Sequence, residues 1–531
     1  MSTDFQILAA DKISAKGLGV FEADDSFTIV AREGLKEPEL IEQIQGVHGL
    51  IVRSATKVTR AALEAADQLK VIGRAGVGVD NVDVEAATER GVIVMNTPGG
   101  NTISTAEHTF SLMMALARQI PPAHATMLDG LWARKKFNGT ELLDKTLAIA
   151  GMGRIGSEVA RRAIAFGMRV VVYDPFLALS RAKALQVDLV DTLDELLPQA
   201  DFLTLHMPLT KDTEGIIDAT SLAKCKPGLR LVNCARGALI NEADLLAALE
   251  SGQIAGAGLD VFSSEPLPED HPLRRAPNVV LTPHLAASTE EAQENVGIEI
   301  AEQIMAYLKE GSVRNAVNVP NVDARTMAEL QPYLLLGVKL GRIASQLAPS
   351  RIDKLEIFYN GKAASLNTVP ITRAVLRGLL EAAGGASVNE VNAPKIARRL
   401  GIGYEERKTS EAADYKELIT VKVTSGEEEH SVAATLFANR PRLVMLEGFA
   451  VEADPTGVLF IMENQDTPGI VGWLGTFLGE RQINIAGMTL ARSEPGSRAL
   501  SVLNLDTCPD ASVLEELRQH DKIHCVKVVQ L

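Results

Sequence analysis

The sequence predicts an α/β chain in which one doubly wound domain is inserted into another, with two α+β modules behind them. Three observations predict it. Residues 1 to 100 alternate short apolar runs with helical stretches and carry no glycine turn suited to phosphate. A second alternation begins near residue 147 and opens on Gly151, Gly153 and Gly156 in the spacing G-x-G-x-x-G, which lets a strand-to-helix turn hold a dinucleotide pyrophosphate. After residue 290 the pattern turns helical, and that helix is expected to pack back onto the first domain.

The elements follow in order. In the first domain "FQILAAD", "FTIVAR", "GLIVRS", "LKVIGRAG" and "GVIVMN" read as buried parallel strands, with "PELIEQI", "RAALEAA" and "VEAATERG" as helices between them. Ser104 and Glu107 fit a capping box ahead of a long, nearly all-apolar helix, "NTISTAEHTFSLMMALARQI". A spacer containing "ARKK" leads to the glycine turn. Strands "LAIAG", "RVVVYD", "DFLTLH", "GLRLVNCAR", "GAGLDVF" and "NVVLTPH" come next, and "NAVNVPNVDA" reads as a linker. Beyond it "KLEIFYNG", "ELITVKVTS" and "HSVAATLFA" are strands among helices, and the tail reads βαββαβ, a ferredoxin-like module. The expected boundaries are 1–101 with 290–318, then 102–289, 319–453 and 454–531.

At 531 residues and 46% apolar content the chain has material for several cores. A formal charge of −15 argues against non-specific binding to nucleic acid or anionic membrane, but leaves an anionic small substrate open. The four cysteines, Cys225, Cys234, Cys508 and Cys525, show neither C-x-x-C nor metal-ligand spacing, so no metal is expected and a reducing, cytoplasmic setting is. The start lacks a basic segment before an apolar core, so no signal peptide is expected. No apolar run approaches membrane-spanning length.

Two groups of residues carry chemistry. Asp174 ends the strand after the glycine turn, 18 residues past Gly156, where an acid accepts the ribose hydroxyls of a dinucleotide. A carboxylate there repels a 2′-phosphate by on the order of a few kcal/mol at ~4 Å, and no arginine follows directly, so NAD is favoured over NADP. Arg236, Glu265 and His284 stand at or just beyond the carboxyl ends of three predicted strands, the edge at which open α/β sheets bind ligands. Histidine suits a base that takes a hydroxyl proton. A glutamate beside it raises its pKa and fixes the ring, and an arginine grips a carboxylate through two N–H bonds.

The run "GMGRIG…YDP…NCARGALI…DVFSSEP…TPHLAAST" resembles the D-2-hydroxyacid dehydrogenase family. The early part, "GLIVRSATKVT…VIGRAGVGVDNVD…GVIVMNTPGGNTISTAEH", and the two C-terminal modules resemble its long branch acting on 3-phosphoglycerate. The resemblance covers essentially the whole chain. It implies a Rossmann-type NAD-binding domain inserted in a flavodoxin-like substrate domain, then an intervening domain and an ACT domain. It implies Arg236, Glu265 and His284 as catalytic groups. It implies a cofactor set of Gly151, Gly153, Arg154, Ile155, Gly156 and Asp174 with Val77, His206, Met207, Cys234, Ala235, Asp260 and Ala287. The reaction implied is oxidation of 3-phosphoglycerate to 3-phosphohydroxypyruvate, the entry to serine synthesis. Candidate substrate residues are Arg53, Ser54 and Lys57 after the third strand, Arg74 and Gly76 after the fourth, and Asn101 at the linking helix. Arg134, Lys135 and Lys136 join them, since the family reaches the phosphate with such a segment from a neighbouring subunit of a homodimer or homotetramer. The family's usual glycine is Ala286 here, a methyl expected to crowd the nicotinamide slightly.

In the ACT-like tail the family's L-serine pattern maps onto Asn464, Asp466 and Asn484. Helix capping by Asp466 or Thr467 and a turn at Asn484 explain the same residues. Arg440 and Arg442 suit a second phosphate ligand or a solvated surface equally. Two other functions stay open: a dehydrogenase for glycerate or 2-hydroxyglutarate, and an NAD-sensing corepressor-like protein.

Overall fold

The computed structural model describes residues 4–348, 351–382, 388–411 and 414–531. The first layer runs β1 (Phe5–Ala9), α1 (Ala15–Glu22), β2 (Phe27–Ala31), α2 (Glu37–Gln43), β3 (Gly49–Val52), α3 (Arg60–Ala65), β4 (Val71–Arg74), α4 (Val84–Glu89) and β5 (Ile93–Asn96). Its five strands are parallel in the order β2-β1-β3-β4-β5, the flavodoxin-like arrangement. Apolar runs in β1, β3, β4 and β5 are buried on both faces, as helices on both sides of a parallel sheet require. The expectation of a fully buried strand fails for β2. Only Phe27 of its five residues is buried: β2 is an uncovered edge, whereas at the other edge the segment carrying Ala316 and Val317 bonds to β5.

A linking pair follows: α5 (Thr102–Arg118) and α6 (Ile120–Leu128). The expected capping box does not form. The helix begins after Asn101, so Ser104 lies inside the first turn and its hydroxyl donates back to the Asn101 carbonyl at 3.1 Å, while Glu107 pairs with Arg162. The single long helix expected here breaks at Gln119, whose φ is 52°, and Pro121 and Pro122 then occupy the first turn of α6, where missing N–H groups cost nothing. No residue of α6 is buried, and it leads into exposed Leu131 and Trp132, the latter 82% accessible.

The second layer is β6 (Thr146–Ala150), α7 (Arg154–Ala165), β7 (Arg169–Tyr173), α8 (Leu179–Ala184), β8 (Asp188–Val190), α9 (Leu193–Leu196), β9 (Phe202–Leu205), α10 (Ala219–Lys224), β10 (Leu229–Asn233), α11 (Glu242–Glu250), β11 (Ile254–Leu259) and β12 (Val279–Leu281). The parallel order β12-β11-β10-β9-β6-β7-β8 reverses direction at β6, which puts a crevice at the carboxyl end of that strand.

Helix α12 (Glu290–Glu310) then returns to the first layer. Its Val296, Ile300, Ala301 and Ile304 share one core with Ile7, Ile51, Val71 and Ile93. At its crossing with α1 a Cβ on Gly17 would lie 2.7 Å from the Gly297 carbonyl carbon, so the backbones touch and no side chain fits between them.

The third layer holds α13 (Ala324–Leu347), β13 (Lys354–Gly361), α14 (Thr368–Ala382), α15 (Ala393–Arg399), β14 (Gly403–Thr409), β15 (Glu417–Ser425), β16 (Glu428–Phe437), β17 (Arg440–Leu446) and β18 (Phe449–Ala453). The tail is β19 (Val458–Gln465), α16 (Ile470–Glu480), β20 (Ile485–Arg492), β21 (Arg498–Leu505), α17 (Ala511–Arg518) and β22 (Ile523–Gln530), paired β20-β21-β19-β22. Helix α13 packs on both sheets, and Leu355 and Val421 share a buried cluster with Leu459, Val502 and Val529.

Candidate active site

The carboxyl ends of β3, β4, β10, β11 and β12 converge on a cleft between the first two layers. A cavity of about 500 Å³ there is lined by Arg53, Ser54, Lys57, Arg74, Gly76, Val77, Asn101, Arg236, Glu265, His284 and Ala287. Residues up to 234 positions apart in sequence thus face one space, because each follows a strand whose end points into it.

His284 and Glu265 are in contact: Nδ1 lies 2.7 Å from Oε2. That leaves Nε2 as the ring nitrogen free to exchange a proton. The hydrogen bond to Glu265 raises the His284 pKa above its ordinary value, against an opposing pull from burial. Burial by itself pushes the Glu265 carboxyl up, but hydrogen bonds from His284 and the Phe262 N–H outweigh it and hold the group below the usual range. His284 sits at φ 56°, a strained conformation for a side-chain-bearing residue. Its N–H donates to the carbonyls of Asp260 and Thr282 at 2.8 and 3.0 Å.

The Asp260 side chain fixes the rest of that loop. It is fully buried and accepts the Leu285 and Ala286 N–H groups at 2.7 and 2.9 Å and the Thr282 hydroxyl at 2.6 Å, with His108 Nε2 at 3.1 Å. Burial opposes ionisation, but these donors hold the pKa below the usual range. Ala286 itself is buried in the core beneath the loop, beside Met113 and Cys234. Ala286 does not line the cavity, whereas its neighbour Ala287 does.

Three guanidiniums gather opposite. Arg236 Nε pairs with Asp80 Oδ2 at 2.9 Å, and its Nη1 donates to the Ala235 carbonyl at 2.7 Å. The close packing of Arg236 on Gly78 and of Arg74 on Gly76 leaves no room for a Cβ at either glycine. Burial first, and then the neighbouring Arg236 charge, lowers Arg74 to about 10, so it stays cationic at neutral pH. Its Nε is buried with no hydrogen-bond partner among the described residues. Arg53 is lowered by burial, with Asp11 opposing. Asp11, missed in the sequence, accepts the Arg53 N–H at 2.5 Å and the Thr56 hydroxyl at 2.8 Å. Asn81, also missed, donates to the carbonyls of Arg53 and Thr56 at 2.7 and 2.6 Å. Together they shape the loop that carries Ser54 and Lys57.

The glycine turn has the shape a dinucleotide needs. A Cβ on Gly151, whose φ is 98°, would lie 2.5 Å from the His206 carbonyl oxygen, and one on Gly156 would lie 2.3 Å from the Gly151 oxygen. Around Gly153 the space is open. Gly153 also supplies no side-chain cap to α7, so the first N–H groups of that helix face outward for an anion. Arg154 is exposed and Ile155 half-buried at the same turn. Asp174, just past β7, accepts the Met152 and Phe176 N–H groups at 2.7 and 2.9 Å, which fixes its carboxylate beside the turn. His206 is bonded to Thr204 Oγ1 at 3.0 Å and burial lowers it to about 4, so the ring is neutral. Burial pushes the Cys234 thiol up to about 12, which makes it unreactive. Met207 and Ala235 are half-buried against the β9–β10 core.

Not every candidate lies at this cleft. Arg134, Lys135 and Lys136 form a short exposed turn that does not line the cavity of their own chain. In the tail, Gly469 is the N-cap of α16 and makes no side-chain bond, so the capping reading of Asp466 and Thr467 does not hold. Asp466 instead accepts the Gly496 N–H at 3.0 Å and pairs with Arg492 at 3.2 Å, and Asn484 donates to Asp506 at 2.7 Å. Asn464 is fully buried, and its Oδ1 has no partner among the described residues. Arg442 is taken up by Asp454 at 3.1 Å.

Comparison with known proteins agrees with this geometry. Residues 110–286 match the D-isomer specific 2-hydroxyacid dehydrogenase NAD binding domain, 329–447 the D-3-phosphoglycerate dehydrogenase intervening domain, and 458–521 the ACT domain. The chain is 43% identical over 528 residues to a D-3-phosphoglycerate dehydrogenase of Bacillus subtilis, covering 99% of this chain and 100% of that one. The Methanocaldococcus jannaschii enzyme of the same name is 43% identical over 526 residues with the same coverage. Among solved structures, an NAD+-bound 3-phosphoglycerate dehydrogenase from Entamoeba histolytica is 29% identical with a TM-score of 0.51, covering 60% of this chain and 99% of its own.

Proposed function

The chain belongs to the D-3-phosphoglycerate dehydrogenase family, and from that premise we propose that it oxidises 3-phospho-D-glycerate to 3-phosphohydroxypyruvate with NAD, the first step of L-serine biosynthesis. The observation that carries the reading is the His284–Glu265 pair facing Arg53, Arg74 and Arg236 across one cavity. NAD, once held at the glycine turn and Asp174, supplies the hydride acceptor for C2 of the substrate. Arg236, aligned by Asp80, grips the substrate carboxylate and turns C2 toward the cofactor. His284 Nε2 takes the hydroxyl proton. Glu265 keeps Nδ1 protonated and stabilises the imidazolium that results.

Arg53, Lys57 and Arg74 provide the positive field for the phosphate, with Ser54 and Asn101 as polar neighbours. Arg134 and Lys135 complete it from a second copy of the chain. Support for that assembly is the exposed apolar run Ile120, Met127, Leu128, Leu131 and Trp132, which leads directly into those cations. L-Serine occupies the tail module, where Asn464, near the end of β19, holds a buried oxygen with no partner among the described residues and Asp466 follows it, while Asn484, at the far end of the same sheet beside Asp506, joins such a site only from a second copy of the module. Among the described residues no helix is long and apolar enough to cross a membrane.

The deciding experiment is steady-state turnover with NAD of 3-phosphoglycerate, glycerate and 2-hydroxyglutarate, without and with L-serine. Preference for 3-phosphoglycerate in kcat/KM supports the substrate assignment, and equal or better use of another acid overturns it. Inhibition by serine supports the effector assignment, and absence of serine binding by calorimetry removes it.

A further inference from the structure

A cavity of about 820 Å³ lies away from the cleft, where the end of α4 and Asn318 meet α14, α15 and β14 of the intervening domain. Its volume falls in the range of small-ligand sites. Four cations line it, Arg373, Lys395, Arg398 and Arg399, against two acids, Glu89 and Glu406. Both acids are already engaged. Glu89 is bonded to Lys395 at 2.8 Å and Arg60 at 2.6 Å, and Glu406 accepts the Thr368 hydroxyl at 2.8 Å. Arg373 Nη1 donates to the Glu390 carbonyl at 2.8 Å.

The guanidiniums of Arg398 and Arg399 make no hydrogen bond and no ion pair among the described residues. Arg398 lies close enough to Arg373 for the two charges to repel, which adds to burial in lowering Arg373. Arg398 and Arg399 are exposed at the mouth of the hollow, and in a chain of net charge −15 two adjacent unpaired guanidiniums run against the overall composition. An anion relieves that repulsion, and the guanidinium fork matches phosphate and carboxylate oxygens two at a time.

We propose that this junction cavity is a second anion site, taking a compact ligand whose phosphate or carboxylate groups lie between Arg373, Arg398 and Arg399. Tyr404, on the same wall, closes one side. The ligand contacts both the catalytic body and the intervening domain, since Thr88 and Glu89 belong to one wall and α14 and α15 to the other. The site stands apart from Arg442, which Asp454 occupies, and from the tail module.

The test uses equilibrium dialysis of the full chain against radiolabelled inorganic phosphate, for the native protein and for the pair Arg398→Ala, Arg399→Ala. The expected result is one phosphate per chain lost, or held at least tenfold more weakly, in the variant, with turnover in phosphate-free buffer unchanged. Displacement of the bound phosphate by 3-phosphoglycerate identifies a phosphorylated acid as the ligand, and persistence of the label identifies free phosphate; both support the site. Identical binding by the two proteins overturns it, and does so without touching the dehydrogenase assignment, which turnover alone decides. If the alanine pair fails to fold by circular dichroism, Arg398→Gln with Arg399→Gln gives the same reading with the side-chain bulk retained.

Discussion

Glu265 Oε2 lies 2.7 Å from His284 Nδ1, and the other carboxylate oxygen accepts the Phe262 N–H at 3.1 Å. The glutamate is thus tied to the backbone at one end and to the ring at the other. That contact raises the His284 pKa. A base must be neutral to accept the substrate proton, so the rate of alcohol oxidation rises as pH climbs through this raised value. Glu265→Gln removes the charge, lets the histidine fall back toward its ordinary pKa, and moves the acidic limb of the kcat/KM profile to lower pH. A profile whose acidic limb stays put places the proton acceptor elsewhere.

His284→Asn keeps a residue that tolerates φ near 56° but has no titratable nitrogen. Turnover is expected to fall by roughly 10²-fold or more, the usual worth of a positioned acid–base group. NAD affinity, read by fluorescence titration, is expected to change little. Near-native turnover sinks the assignment.

Asp174→Ala removes the carboxylate held by the Met152 and Phe176 N–H groups. The ribose acceptor and the repulsion of a 2′-phosphate go together, so NAD binds more weakly and the preference over NADP narrows. An unchanged ratio of kcat/KM for the two cofactors means that the ribose lies away from this residue.

Replacing Arg134 and Lys135 with alanine is expected to cost activity on 3-phosphoglycerate more than on an unphosphorylated 2-hydroxy acid. The two cations are exposed and lie outside the cavity of their own chain, so a selective loss requires the proposed second copy to bring them in. Equal losses on both substrates show instead that the turn serves assembly.

The meeting of Gly151, Gly156 and Asp174 at one turn was legible because it is encoded in local spacing: a tight turn, a close helix, and an acid one strand later. Arg236, Glu265 and His284 were legible from their common position past strand ends. What was not legible acts across the chain. Asp11 shapes the Arg53 loop from 42 positions away, and Asp80 aligns Arg236 from 156 positions away. Neither belongs to a spacing pattern, since only the packed sheets bring the partners together. Ser104 shows the opposite error. Its match to a capping pattern was sound, but the helix starts earlier than the pattern implied, and the hydroxyl turned inward. The split at Gln119 was hidden because the apolar content continues past it, while a single left-handed residue is enough to end the helix.

The return of α12 to the first sheet sets an order of events at the ribosome. Ile7, Ile51 and Ile93 need Val296, Ile300 and Ile304 to cover them, and the Gly17–Gly297 crossing admits no substitute helix. At synthesis rates of ~5–20 residues per second, roughly 10–40 s separate the emergence of β5 from that of Ile304. During that interval the second layer is itself still emerging, its last strand β12 only just ahead of α12, while one apolar face of the first sheet stands uncovered. A nascent chain halted near residue 280 is therefore expected to recruit a holding chaperone, and one halted far enough beyond residue 310 for α12 to clear the exit tunnel is expected to release it.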